Sequence, residues 1–373
     1  MEFIDLAAQQ AALRDKIDAR IATVLDHGGY IMGPEVTELE NALSAFCGAK
    51  HALTCANGTD ALQLALMALG IGANDAVFCP AFTFAATAEV IPTVGAAPIF
   101  VDIDPGTFNI CPASLQRAIV HAQDLGLTPA AVIAVDLFGL PADYDSIEEM
   151  CARHGMRLIA DSAQGFGGSY KSRKTGTIGD ITTTSFFPAK PLGCYGDGGA
   201  LFTQDEELAE LIRSLRVHGK GSHKYDNHRI GMNSRLDTLQ AAILCEKLAV
   251  FPKELQRRNE IAARYSAALG NLLTVPKLPQ GLSSTWAQYT VSTPKGVRRE
   301  DILKVLKTAG IPVGIYYPTP LHQQTAFAAY SGDPAGLANS EQAASTVFSL
   351  PMHPYLTQQD QDRVLQVLHD ALT

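Results

Sequence analysis

The sequence predicts an α/β fold, with a mostly parallel sheet covered by helices on both faces and a smaller α+β unit behind it. Two observations carry this. Between His51 and Thr203, short apolar or β-branched runs alternate with stretches of helical spacing. After about residue 236 the alternation gives way to long amphipathic helices and then to proline-rich mixed segments. The length, 373 residues, normally divides into about two domains. The expected division is an N-terminal arm over 1–12, a large unit over 13–249 and a small unit over 250–373.

In order, Asp15–His27 has helical spacing with Ile17, Ile21, Val24 and Leu25 on one face, and Gly28-Gly29 ends it. Pro34 opens a second helix, Glu35–Phe46, with Val36, Leu39, Leu43 and Phe46 inward. A strand over His51–Cys55 runs through A-N-G-T-D into a helix over Asp60–Leu69. Strands are expected over Ala76–Cys79, Pro98–Val101, Ala131–Leu137, Arg157–Asp161, Ile181–Phe186 and Gly199–Thr203. Helices are expected over Ala85–Thr93, Ser114–His121 and Asp145–His154. Beyond these, Leu236–Val250 and Lys253–Leu269 read as two helices hinged at Pro252. Thr285–Thr293 reads as a strand, Glu300–Thr308 as a helix, Gly310–Ile315 as a loop or strand, and Gln358–Leu372 as a terminal helix.

Composition narrows the function. Hydrophobic residues are 47% and charged residues 18%, enough for a large core. A net charge of -9 speaks against nucleic acid or an anionic membrane as partner. No basic segment followed by an apolar one opens the chain, and no apolar run approaches the ~18 residues of a membrane span. The seven cysteines are scattered and never spaced C-x-x-C, which implies reduced thiols in a cytoplasm, no disulfide framework and no zinc site.

Three features fall where ligands bind in open α/β sheets, beyond the carboxyl ends of strands. Lys190 is the lone charged side chain between Asp180 and Asp197, flanked by Pro188 and Pro191. It follows an apolar run and precedes a cluster of glycines. Poor hydration disfavours the charged ammonium, and a lysine so placed can serve as an amine nucleophile. Asn57-Gly58-Thr59 joins a strand to a helix, where free N–H groups and the helix dipole suit a phosphate; the same residues also make a good helix cap. Asp161 ends R-L-I-A-D, where a carboxylate can hold a cation or a protonated ring nitrogen, or cap a turn. Together they suggest pyridoxal 5'-phosphate (PLP), with Lys190 as the Schiff-base amine, the turn on the phosphate and Asp161 keeping the pyridine nitrogen protonated. No G-x-G-x-x-G follows the first strands, and G-x-x-x-x-G-K-[ST], H-E-x-x-H and G-x-S-x-G are absent.

The segments N-G-T-D-A-L-Q-L-A-L, T-F-A-A-T-A-E-V-I, V-D-I-D-P-x-T-F-N-I, L-F-G-L-P-A-D, D-S-A-Q-G-F-G, S-F-F-P-A-K-P-L-G-x-Y-G-D-G-G-A and G-M-N-S-R-L-D-T-L-Q-A-A stand in this order. They resemble the DegT/StrS family of PLP-dependent sugar aminotransferases, over residues 3 to about 330. The resemblance implies the type I aminotransferase fold: a large domain on a seven-stranded mixed sheet, a small C-terminal domain, and a homodimer with active sites at the interface. It matches Lys190 to the Schiff-base lysine, Asp161 to the partner of the pyridine nitrogen, Gln164 to the residue near the phenolic oxygen and Phe84 to the ring that stacks on the cofactor. Gly58, Thr59 and Ser185 match phosphate ligands, and Asn233 a phosphate ligand supplied by the other subunit. Family members that act as sugar dehydratases carry histidine in place of this lysine, so Lys190 implies transamination. L-Glutamate, leaving as 2-oxoglutarate, is the implied amino donor.

The family's substrates are usually nucleotide-linked keto-sugars. Residues 216–229 fit one: Arg216, Lys220, Lys224 and Arg229, with His218, His223 and His228, stand against a single Asp226. A diphosphate or a sugar carboxylate would be drawn there, though a solvated basic loop would read the same. The wording I-D-L-A-x-Q-Q, G-Y-I-M-G-P-E-V-x-E-L-E, W-A-Q-Y-T-V and Y-Y-P-T-P-L-H-Q-Q is most similar to aminotransferases that make UDP-2,3-diamino-glucuronic acids for lipopolysaccharide. This implies UDP-2-acetamido-2-deoxy-3-oxo-glucuronate as substrate. Arg229, ahead of Arg235, would then pair with the carboxylate, with His322 and Tyr317 as further sugar-pocket residues. Alternatives are 4-amination of a UDP- or dTDP-4-keto-6-deoxy sugar, or a non-catalytic PLP-binding regulator.

Overall fold

The computed structural model describes residues 1–223 and 225–373. Its centre is a seven-stranded sheet in the order β1-β9-β8-β5-β4-β2-β3. The strands are β1 (His51–Cys55), β2 (Asp75–Pro80), β3 (Ala97–Val101), β4 (Thr128–Val135), β5 (Arg157–Asp161), β8 (Ile181–Ser185) and β9 (Gly199–Thr203). Only β9 runs against its neighbours, pairing antiparallel with β1 and β8. The other pairings are parallel, so the α/β expectation holds with one reversed strand.

Alternate residues of each strand feed opposite faces. Val77 and Cys79 join a core under α3 (Gly58–Ala68), α4 (Ala86–Thr93) and α7 (Glu206–Leu215). Ala76 and Phe78 join one under α5 (Pro112–Asp124) and α6 (Tyr144–His154). Ala52, Ala200 and Phe202 pack with α2 (Pro34–Cys47) and the first half of α8 (Thr238–Leu269). This is burial on both sides, the arrangement that parallel strands need.

The second half of α8 belongs to another core. Ile261, Ala262, Tyr265 and Leu269 pack with β11 (Tyr289–Ser292), α9 (Arg299–Thr308), β12 (Val347–Leu350) and α11 (Gln358–Leu372). Thus α8 is a single helix through Pro252, where the sequence predicts two with a hinge. Both halves are buried, Leu248 and Phe251 in one core and Ile261 onward in the other. That packing outweighs the backbone hydrogen bond that proline forfeits.

Other differences have local causes. The first helix, α1, starts at Leu6, so residues 6–12 are its opening turns. Asp5 caps it by accepting from Ala8 N at 2.8 Å, and Gln9 ties it to Glu254 of α8 at 2.9 Å. Leu25, expected inward, is exposed. Helix α7 is additional to the expected elements. So are α10 (Ala338–Thr346), β12, and a small sheet of β6 (Ser169–Tyr170), β7 (Arg173–Lys174) and β10 (Leu282–Ser283). Residues 310–315 make one bridge, Gly314 to Ser349, and no strand. Among the described residues no helix is long and apolar enough to cross a membrane.

Candidate active site

The functional side chains converge at one edge of the sheet, where β1, β2, β4, β5 and β8 all end. At the end of β1, Asn57 caps α3 by accepting from Asp60 N at 2.8 Å. Gly58 and Thr59 then occupy the first two helical positions, whose N–H groups have no intrahelical acceptor. Gly58 lies against Ser185 at the end of β8, and a Cβ on Gly58 would come 2.7 Å from Ser185 Cβ. Two free amides, a hydroxyl and a glycine-only close approach therefore form a cradle with the polarity that a phosphate needs.

Lys190 sits at the tip of a tight turn that follows β8. Its amide donates to Phe187 O at 2.8 Å, and Cys194 N closes the turn on Phe186 O at 2.8 Å. The side chain keeps some exposure but is surrounded by protein, and burial lowers its pKa below the ordinary lysine value. The charge of Asp161 pulls the other way. Asp161 is buried; burial raises its pKa, against the Ala163 amide (3.1 Å), Lys190 and the Thr87 hydroxyl (3.1 Å). A buried carboxylate in this state benefits from a cationic partner, and the lysine is biased toward the free amine.

Gln164 is buried beside them. Its Oε1 accepts from Phe138 N, and its Nε2 donates to Tyr317 OH at 3.2 Å. Tyr317 in turn lies 6.2 Å from the ring of Phe84, centre to centre. Phe84 is 55% exposed, an apolar ring open to solvent beside Tyr317. The structure therefore brings together Lys190, Asp161, Gln164, Phe84 and Tyr317, and separately Gly58, Thr59 and Ser185.

The other residues expected at the site form no hydrogen bond or ion pair with Lys190, Asp161 or Gln164 among the described residues, although Ser234, between Asn233 and Arg235, accepts from Ala56 N at 3.2 Å beside the Asn57–Thr59 turn. His322 Nε2 is 3.1 Å from Glu341 Oε1, a contact with α10. The Arg229 guanidinium donates to Ser214 Oγ at 2.9 Å, and nothing among the described residues bonds it to Lys190, Asp161 or Gln164. Arg235 is half-buried with no ion pair among the described residues, and Asn233 is exposed. The basic segment also loses a member. Arg216 is buried, its Nη1 held by Glu40 Oε1 and Thr54 O. Lys224 lies outside the described residues.

Two residues at the site have no part in the sequence-based set. Thr87 orients the Asp161 carboxylate. Asp136, just past β4, accepts from Tyr144 OH (2.6 Å), Ala142 N (3.1 Å) and Ser162 Oγ. Burial pushes it up to about 7 despite those bonds. The signal was present: Asp136 ends an apolar strand just as Asp161 does.

The donor set fits PLP. The cradle at Gly58 suits a phosphate, the carboxylate suits a protonated ring nitrogen, and the desolvated amine suits an aldehyde. Comparison with known proteins agrees. The model of the DegT/DnrJ/EryC1/StrS aminotransferase family matches residues 11–369. The chain is 49% identical over 357 residues to UDP-2-acetamido-2-deoxy-3-oxo-D-glucuronate aminotransferase of Pseudomonas aeruginosa, covering 95% of this chain and 96% of that one. It superposes with a TM-score of 0.98 on the crystal structure of a DegT DnrJ EryC1 StrS aminotransferase from Brucella abortus, at 50% identity and covering 100% and 99% of the two chains. It also matches NtdA from Bacillus subtilis with bound cofactor PMP, with a TM-score of 0.87 at 29% identity, covering 96% of this chain and 81% of that one. The chain is a member of the DegT/DnrJ/EryC1/StrS aminotransferase family, an aminotransferase whose cofactor is pyridoxal 5'-phosphate.

Proposed function

We propose that this enzyme transfers the amino group of L-glutamate to C3 of UDP-2-acetamido-2-deoxy-3-oxo-glucuronate, in a cytoplasm and as a homodimer. The observation that carries the choice of sugar is the likeness to the Pseudomonas aeruginosa enzyme over nearly the full length of both chains. The intact set of Lys190, Asp161 and Gln164 supports catalysis over a purely regulatory role. In the same reading, residues 13–249 form the cofactor-binding unit and 250–373 the smaller one.

Bound at this edge, PLP supplies an electron sink for a carbanion next to the amino group. The protein's own parts follow from geometry. Lys190 Nζ, biased toward its free amine, would take the proton from the donor's α-carbon and deliver it to the cofactor's aldehyde carbon, a 1,3-shift. Asp161, held by Thr87 and Ala163, keeps a proton on the cofactor's ring nitrogen. Gln164, fixed between Phe138 N and Tyr317 OH, holds the cofactor's phenolic oxygen. The exposed ring of Phe84 covers the cofactor's ring and excludes water from one side. Gly58, Thr59 and Ser185 hold the phosphate, and Asn233, exposed on its own chain, reaches the phosphate in the neighbouring subunit's site. Arg229 and Arg235 lie on the segment that meets the sugar across that same interface, with Arg229 on the carboxylate.

The test is direct. Purified enzyme given L-glutamate and the UDP-3-oxo-uronate should release 2-oxoglutarate, and Lys190→Ala should lose at least about 10³-fold of that rate. Faster turnover with a 4-keto-6-deoxy nucleotide sugar would overturn the choice of substrate. Cofactor that binds but never converts with glutamate would overturn catalysis.

A further inference from the structure

Behind the turn that carries Lys190 stands a second buried lysine. Lys247, on α8, is 1% exposed. Its Nζ donates to Gly193 O at 2.7 Å and lies 4.2 Å from the centre of the Tyr195 ring. Among the described residues no carboxylate forms an ion pair with it; nearby Glu254 is engaged by Gln9 and Tyr355. An ammonium in the core with one carbonyl and one aromatic face is expensive, and burial draws its pKa down to about 8. An apolar side chain of the same length would fill the space at lower cost. What the amine adds is a grip on one carbonyl.

That carbonyl belongs to a rigid piece. Cys194 donates to Phe186 O through both its amide (2.8 Å) and its thiol (3.0 Å). Gly193 packs so closely that a Cβ there would lie 2.5 Å from Pro188 O. Lys190 N closes on Phe187 O at 2.8 Å. Tyr195 N, the next link, is held at 2.8 Å by Gln240 Oε1, two turns before Lys247 on the same side of α8. A shift of Gly193 therefore moves residues 186–194 together, Lys190 included.

We propose that Lys247 is a positioning residue for Lys190: by holding the Gly193 carbonyl it fixes the turn against α8 and so sets where the Lys190 amine stands. The inference rests on the assignment of Lys190 as the reacting amine.

Lys247→Met keeps the stem and removes the donor; Lys247→Arg keeps a donor. In the cofactor-free protein, amide hydrogen exchange over 187–196 should speed up in Lys247→Met and recover in Lys247→Arg, with β2 and β4 unchanged. In the holoenzyme, the single-turnover reaction with L-glutamate, followed by visible absorption, should slow about tenfold to a hundredfold in Lys247→Met. The KM for glutamate should stay within about twofold, and Tm should be equal or higher, because a buried charge has gone. Parent-like exchange and rate in Lys247→Met overturn the proposal. A fall in Tm that tracks the fall in rate in both variants also overturns it, since it marks a merely structural role. Should Lys247→Met fail to fold, Lys247→Gln carries the same two readings. An active Lys190→Ala would instead overturn the assignment of Lys190, whereas an inactive Lys190→Ala beside a parent-like Lys247→Met overturns this inference alone.

Discussion

The edge of the sheet and the basic segment 216–229 both bring charge to this enzyme, and they are built in opposite ways. At the edge, charges are few and enclosed. Burial pushes Lys190 down and Asp161 up, each toward its neutral form. In the segment, the polar groups are open: Lys220 and Arg229 are exposed, and His228 and Asp226 meet at 2.7 Å with about half of each side chain in solvent. An enclosed charge acts at low dielectric and is costly to leave unpaired, whereas an exposed one is screened. The enclosed set thus suits bond-making, and the open set suits attraction of a charged substrate. Arg216 crosses between them: it is in the segment by sequence and in the core by structure, paired with Glu40.

That pair gives the strongest way to break the contrast. Glu40→Ala leaves the Arg216 guanidinium with backbone and hydroxyl partners alone, and should cost about 3–5 kcal/mol in chemical denaturation. A cost below about 1 kcal/mol would put Arg216 with the open set. Asp161→Asn keeps the shape and removes the charge. It should lower the rate of the glutamate half-reaction about a hundredfold in stopped flow. Arg229→Ala should raise the KM for the sugar about tenfold and leave the glutamate half-reaction untouched. An equal loss in both halves would move Arg229 into the enclosed set.

Asp136 adds a pH dependence to the enclosed set. Asp136 is raised from 3.8 to about 7, so the folded form keeps a proton that the unfolded chain releases within that window. Its contribution to stability is therefore full below the window and lost as pH rises through it. Asp136→Asn should flatten the decline of denaturation midpoint between about pH 4 and pH 7. An unchanged profile would show that its three hydrogen bonds win over burial.

Much of this was legible from residue order alone. Strands His51–Cys55 and Gly199–Thr203 fall where their apolar runs stand, and α11 begins where Thr357 caps it. Helix α7 has every local cue, with Asp205 as cap, Glu206 and Glu207 in the first turn and Ala209, Ile212 and Leu215 inward. Strand β12 was not legible. V-F-S-L is four residues whose strand character depends on pairing with β11.

The division has a physical cause. Caps, strand ends and the isolation of Lys190 between two prolines depend on neighbours within a few residues, so the sequence alone determined the α/β frame and the candidate site at its edge. Partners far along the chain were decided by tertiary structure. Glu40 and Arg216, Gln164 and Tyr317, and Lys247 and Gly193 are far apart in the chain and meet only in the folded structure. The same holds for Pro252, which hinges a helix in the sequence and sits inside one in the fold, because two cores bury the helix on either side of it.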